Sequence, residues 1–232
     1  MQYRQVEPAV FIDRPNRFIA HCRMGGAQVT AHVKNTGRCR ELLVPGYTVY
    51  LEKSENPARK TAYSLIAADR QGLLINLDSQ APNQVVAEAM AAGRLDRALG
   101  APVTALRREV RYGSSRFDIA FACGERQGFV EVKGVTLERE GAALFPDAPT
   151  QRGEKHLMEL CRAAGEGYLA AVCFLIQMKG PSVFCPNAAT DPGFARALAE
   201  AAGCGVKLLA FDCAVTPFSL TLADPVPVRL EG

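Results

Sequence analysis

Residues 115–137 read SRFDIAFACGERQGFVEVKGVTL, two runs of alternating apolar and polar positions on either side of Gly124-Glu125-Arg126-Gln127. Alternation with period two marks a half-buried strand, so the stretch predicts an antiparallel hairpin. With Cys123 set opposite Gly128, Ile119 faces Val132 and Phe121 faces Val130 on a core side. On the other side Asp118 then meets Lys133 and Ala120 meets Glu131.

Upstream, short strand-like runs at 18–23, 28–33, 47–53, 61–68 and 72–77 are broken by Pro and Gly without an amphipathic helix. They predict a five-stranded, OB-like β-barrel over residues 1–80. Downstream, Asn83 is the expected N-cap of a helix ending at Gly93, with Val85, Val86, Ala89 and Met90 on its apolar face and Glu88 at its flank. A strand at 106–112, the hairpin and a glycine-containing loop over 134–149 follow. Thr150 is the expected cap of a helix to Ala164, whose stripe is Leu157, Leu160, Cys161 and Ala164. The apolar run 168–177 reads as a strand buried on both faces. A helix over 191–202, a strand over 206–213 and a Pro-rich end crossing the surface from Pro217 complete the chain. The expected class is α+β or α/β: the barrel, then an α/β domain with a mixed central sheet over 81–232.

A chain of 232 residues is long enough for two small domains. Its longest apolar run is too short to span a bilayer and its start, MQYRQVEP, lacks the apolar core of a signal peptide, so a cytoplasmic protein without a membrane partner is expected. The eight cysteines include no C-x-x-C pair, and they are expected to be reduced thiols with no disulfide or zinc. Charge is uneven: residues 1–80 carry 11 Lys and Arg against 7 Asp and Glu, and the remainder 16 against 17. This mild basic bias favours a nucleic-acid partner without requiring one.

The chemistry concentrates on the hairpin. Asp118 and Glu131 would lie within two residue pairs of each other, where cross-strand neighbours sit about 5 Å apart. Two carboxylates this close repel unless a cation lies between them, and their hard oxygens suit Mg2+ or Mn2+, with Lys133 beside the ion to hold a water or a phosphate oxygen. The competing reading of the same residues is a surface ion pair between Asp118 and Lys133. Asp118 followed by Glu131-Val132-Lys133 resembles the PD-(D/E)XK nuclease superfamily. That resemblance implies a restriction-endonuclease-like domain in which Asp118 and Glu131 bind metal, Lys133 is catalytic and Glu88 is an additional helix carboxylate. Candidate phosphate contacts are Lys34, Asn35 and Arg38 in one polar loop, Arg59 and Lys60 in another, Arg116 on the hairpin, and Arg152 and Lys155 at the start of the second long helix. Phe18, Tyr47, Tyr50 and Tyr63 are candidate stacking rings on the barrel, with core packing as their alternative role.

Several segments, in order, resemble the sugar fermentation stimulation protein A (SfsA) family: Asn35-Thr36-Gly37-Arg38, Asn56-Pro57 with Arg59-Lys60, Ser115-Arg116-x-Asp118, Glu131-Val132-Lys133, Phe145-Pro146-Asp147-Ala148 and Thr150-x-Arg152-Gly153 with His156-Leu157. Gly134, Pro149 and Glu154 depart from the family pattern, but the acidic cluster is intact. The resemblance implies non-specific binding of single- or double-stranded DNA, mainly at phosphates, and a part in regulating sugar (maltose) metabolism. Two readings stay open: a divalent-metal-dependent nuclease, and a non-catalytic DNA-binding regulator on a nuclease-like scaffold.

Overall fold

The structure is a computed structural model that describes residues 1–35 and 37–230. The chain forms two compact units. The first comprises Met1–Ala81 with Gln177–Lys179 and Cys213–Thr221, and the second comprises Pro82–Ile176, Gly180–Asp212 and Leu222–Gly232.

In the first unit, β1 (Val6–Asn16), β2 (Ile19–Met24), β3 (Ala27–Val33), β4 (Thr48–Lys53) and β5 (Tyr63–Arg70) close a barrel, and β6 (Leu73–Asn76) extends it from β5. Neighbours are antiparallel except β3 and β5, whose parallel pairing of Ala31 with Tyr63 through Val33 with Leu65 joins the two ends. The barrel is the expected OB type, but its membership differs from the expectation. β1 is an additional strand, and the run at 72–77 is an appendage. The reason is physical: β1 serves β4 along one half and β2 along the other, with register shifts between Phe11 and Asp13 and between Asp13 and Asn16. Only Ala9 and Phe11 of its residues are buried, but Ala9-Val10-Phe11-Ile12 is an unbroken apolar run, so the sequence itself shows no period of two.

After the barrel strands the chain order is α1 (Ala81–Ala91), α2 (Asp96–Leu99), β7 (Ala105–Tyr112), β8 (Ser115–Cys123), β9 (Arg126–Val135), β10 (Leu137–Arg139), β11 (Ala142–Phe145), α3 (Gln151–Gly165), β12 (Leu169–Ile176), β13 (Val183–Pro186), α4 (Pro192–Gly203), β14 (Lys207–Thr216) and β15 (Ser219–Pro225). The central sheet runs β15-β14-β12-β9-β8-β7. β7, β8 and β9 are antiparallel, while β9, β12 and β14 are parallel, which makes the sheet mixed. Three pieces depart from expectation. The loop over 134–149 contains β10 and β11, which build a small sheet with β13; the Pro-rich end contains β15; and α2 follows α1. No helix is long and apolar enough to cross a membrane among the described residues, and all eight cysteines are free thiols.

The hairpin register is also corrected. Cys123 pairs with Arg126, Phe121 with Gly128 and Ile119 with Val130, two residues away from the expected alignment. The turn is the two residues Gly124 and Glu125, and Gly124 has φ +61°, as a two-residue hairpin with glycine in first place requires. A slip of two leaves every residue on its own face, so alternation could not detect it. Gly128 is needed for space, since a Cβ there would lie 2.4 Å from the Leu169 carbonyl of the adjoining β12.

Candidate functional site

β8 and β9 part beyond the pair Ile119–Val130, and the next residues on each strand are Asp118 and Glu131. The corrected register therefore sets carboxylate beside carboxylate, where the expected one set Asp118 beside Lys133. Asp118 Oδ2 accepts from the Val132 N–H at 2.8 Å, and Oδ1 accepts from Asn83 Nδ2 at 2.6 Å. Asn83 can do this because α1 begins at Ala81, so that Asn83 lies inside the first turn and is not its cap. Glu88 is one turn further on. Its carboxylate, expected as an additional helix carboxylate of the metal site, is exposed and accepts from Gln84 Nε2 at 2.8 Å, and the α1 side chain that bonds Asp118 is Asn83.

Glu131 is 3% exposed at the centre of the sheet. Lys133 Nζ donates to its Oε1 at 2.7 Å, an ion pair within β9 in place of the considered pair with Asp118. His156 Nδ1 also bonds that oxygen. Arg152 Nε faces His156 Nε2 at 3.4 Å, which makes Nε2 the acceptor and leaves the proton on Nδ1, directed at Glu131. Glu131 Oε2 is buried with no hydrogen-bond partner among the described residues.

Burial, and then the Glu131 charge, push the Asp118 carboxyl above the usual carboxylate range, against the pull of the Val132 N–H, Lys133 and Asn83. Burial also pushes Glu131 up, but its bonds from His156 and Lys133 outweigh it and hold the carboxyl below the usual range. One carboxylate is thus ionised while its neighbour resists ionising, the state of two acids that a shared cation would relieve.

His156 is held by packing. Its ring lies edge-on to Phe117 at 6.5 Å, and Phe117 stacks into a cluster with Phe129 at 5.1 Å and Tyr112 at 5.5 Å. α3 brings His156 there because Thr150 caps it, accepting from Gly153 N at 3.0 Å, as its sequence predicts. A groove of about 550 Å³ opens beside this histidine, lined by Arg111, Ser114, Ser115, Arg116, Gln151, Arg152, Lys155 and His156. Of its four cations Arg116, Arg152 and Lys155 were expected, while Arg111 was not among the candidates. Arg116 is 3.4 Å from Glu109, but both side chains are more than half exposed, and such a pair contributes about 0–1 kcal/mol.

The barrel candidates divide. Lys34 is engaged by Asp78 at 3.1 Å and Glu52 at 3.9 Å. The Asn35 side chain closes a local turn onto Gly37 N, and Arg59 donates to Ser64 Oγ at 3.1 Å. Arg38 and Lys60 are exposed, as is Phe18, whereas Tyr47, Tyr50 and Tyr63 are half-buried. Thr36, part of the family pattern, lies outside the described residues.

The family model for the sugar fermentation stimulation protein RE domain matches residues 80–219, and that for the SfsA N-terminal OB domain matches residues 12–77. The chain belongs to the SfsA family. It is 48% identical to a sugar fermentation stimulation protein homolog of Desulfitobacterium hafniense (strain Y51), over 100% of both chains. It is 46% identical to another from Ruminiclostridium cellulolyticum, over 99% of this chain and 100% of that one. Among solved structures it resembles Pyrococcus furiosus SfsA in complex with Ca2+, with a TM-score of 0.88 and 28% identity over 99% of this chain and 98% of that one.

Proposed function

We propose that this SfsA-family chain binds DNA through phosphate contacts and hydrolyses phosphodiesters, with Asp118 and Glu131 holding Mg2+ or Mn2+ and Lys133 as the catalytic cation. The observation that carries the reading is Glu131 Oε2, a buried carboxylate oxygen without a partner among the described residues, beside an aspartate whose ionisation it opposes. A buried unpaired acceptor costs roughly 1–3 kcal/mol, and a bound cation would remove that cost. No three His, Cys, Asp or Glu side chains form a metal-holding group among the described residues. Two carboxylates suffice for Mg2+, which ordinarily takes one or two of them and fills its shell with waters and substrate phosphate oxygens. The Ca2+ in the Pyrococcus furiosus complex supports a divalent ion in a relative.

A divalent cation there would supply Lewis acidity to the diester and acidify the attacking water. The chain's own residues do the rest. Asn83 and the Val132 N–H fix the two oxygens of Asp118, and Lys133 and His156 fix Glu131 Oε1 so that Oε2 remains for the ion. Lys133 sets positive charge beside the diester, where it favours the more highly charged transition state over the monoanionic ground state. Arg111, Arg116, Arg152 and Lys155 line the adjoining groove and would hold neighbouring phosphates.

The test is cleavage of labelled single- and double-stranded DNA with Mg2+, Mn2+ or chelator, with melting recorded in parallel, for the parent, Lys133→Ala, Asp118→Asn and Glu131→Gln. The parent should cleave only with metal and melt higher with Mn2+. Lys133→Ala should keep the melting shift and DNA affinity while cleaving about 100-fold more slowly or worse. Asp118→Asn and Glu131→Gln should lose both shift and cleavage. Equal shifts in all four proteins, with no metal-dependent cleavage by the parent, would leave a DNA-binding protein without this chemistry.

A further inference from the structure

One arginine fastens two loops of the barrel together. Arg14 Nη2 donates to the carbonyls of Arg17 and Asn35, each at 2.7 Å, and Nη1 donates to those of Gly37 at 2.8 Å and Arg38 at 2.9 Å. Four carbonyls on one planar cation fix the β1–β2 turn against the loop that follows β3. Asn16 Oδ1 tightens the same turn by accepting from the backbone N–H groups of Phe18 and Ile19.

Phe18 stands on this scaffold with 49% of its surface exposed. Its ring is parallel within 8° to that of His32 in β3, with centroids 6.4 Å apart, and the Arg17 guanidinium lies 5.7 Å from its centroid. Val10 and Phe218 are the other large exposed hydrophobics among the described residues, and neither shares this arrangement of ring and guanidinium. Arg17, Arg38 and Arg40 are exposed on the two loops that Arg14 joins, and the carboxylate of Asp13 is occupied by His21 at 2.8 Å. The patch therefore combines a fixed aromatic face with positive charge.

We propose that Phe18, backed by His32, is a stacking platform for an unpaired nucleobase, with Arg17 and Arg38 meeting the flanking phosphates. The inference rests on the nucleic-acid reading above and adds a preference for single strands. Every base has a π face, so stacking tolerates any sequence, whereas a base inside a duplex already has both faces covered. The β2–β3 face and the β1–β2 loop are also where barrels of this topology take oligonucleotides.

The chain has no tryptophan, so Phe18→Trp creates a single fluorescent reporter at the platform. The parent, Phe18→Ala and Phe18→Trp are titrated with an oligothymidylate, an abasic oligomer of the same length and a duplex, all in chelator. The parent should prefer the oligothymidylate to the abasic oligomer. Phe18→Ala should weaken oligothymidylate binding by about 5- to 100-fold and leave abasic and duplex binding unchanged. Phe18→Trp should retain the preference, and its emission should be quenched by the oligothymidylate but not by the abasic oligomer. Equal affinities of Phe18→Ala and parent, or an equal loss for both oligomers with unmoved tryptophan emission, would overturn the platform while leaving phosphate binding intact. A parent that binds none of the three ligands overturns both readings.

Discussion

Asp118 holds its proton to a higher pH than an aspartate in water, because burial and then the neighbouring Glu131 charge oppose its ionisation. The unfolded chain gives up that proton more easily than the folded one, so stability falls as pH rises through the raised pKa. Asp118→Asn should therefore stabilise the protein in chelator at pH 7 by about 1 kcal/mol, a rise in Tm of about 2–4 °C for a chain of this size. The amide can still accept from the Val132 N–H, and Asn83 can turn its own amide to match. The gain should fade as pH falls through the raised pKa and be gone below the ordinary aspartate value of ~3.9, where the parent is protonated in both states. A constant difference across that range in a melting series would show that the repulsion is absent. The three hairpin residues were legible in the sequence because the spacing of Asp118, Glu131 and Lys133 survives a two-residue slip. Asn83 was hidden for a different reason: its role depends on where α1 starts, and a start three residues earlier turns a cap into a reaching side chain.

Asp191 ties the starts of two helices. Its Oδ1 accepts from Phe194 N at 2.9 Å, capping α4, and its Oδ2 accepts from Thr150 N at 2.8 Å, at the cap residue of α3. Thr150→Ala removes one cap bond and should cost about 1 kcal/mol. Asp191→Ala leaves two backbone N–H groups without their acceptor at a residue only 5% exposed, and should cost about 2–4 kcal/mol. Urea unfolding of both variants checks the order, and a Thr150 variant as damaged as the Asp191 variant would contradict it. The Thr150 cap was legible, since Thr stands directly before a helical pattern, whereas Asp191 read as the first residue of its helix and is its cap. β15 was not, because the prolines at 217, 225 and 227 masked a strand whose prolines lie outside or at the end of its seven residues. β10, β11 and β13 are too short, at three or four residues each, to display a period.

At the scale of the molecule, net charge pointed to the N-terminal third, yet the cations that gather in one groove come from the nearly neutral remainder. Folding brings Arg111 and Arg116, on adjoining strands, beside Arg152 and Lys155 on α3, whereas Lys34 in the basic segment is consumed by Asp78 and Glu52. Segment charge cannot foresee either outcome, because it counts paired and unpaired ions alike. The two sets should behave oppositely when removed. Each phosphate bound by a cation releases condensed counterions, so changing Arg111, Arg116, Arg152 and Lys155 together to Ala should flatten the plot of log affinity against log salt by about 0.7–0.9 for every phosphate no longer neutralised. The weakening should be alike for unrelated sequences, since phosphates carry no sequence information. Lys34→Ala should leave that slope in place and lower stability instead. Its partner Asp78 has a side chain only 1% exposed, and stranding that carboxylate should cost on the order of 2–3 kcal/mol, less than a wholly buried pair because Lys34 itself is 20% exposed. Filter binding across a salt series, together with melting of the same proteins, separates the two effects. A parental slope in the fourfold variant would remove the phosphate path from the groove, and a flattened slope with parental stability in Lys34→Ala would make Lys34 a phosphate contact and not a partner of Asp78.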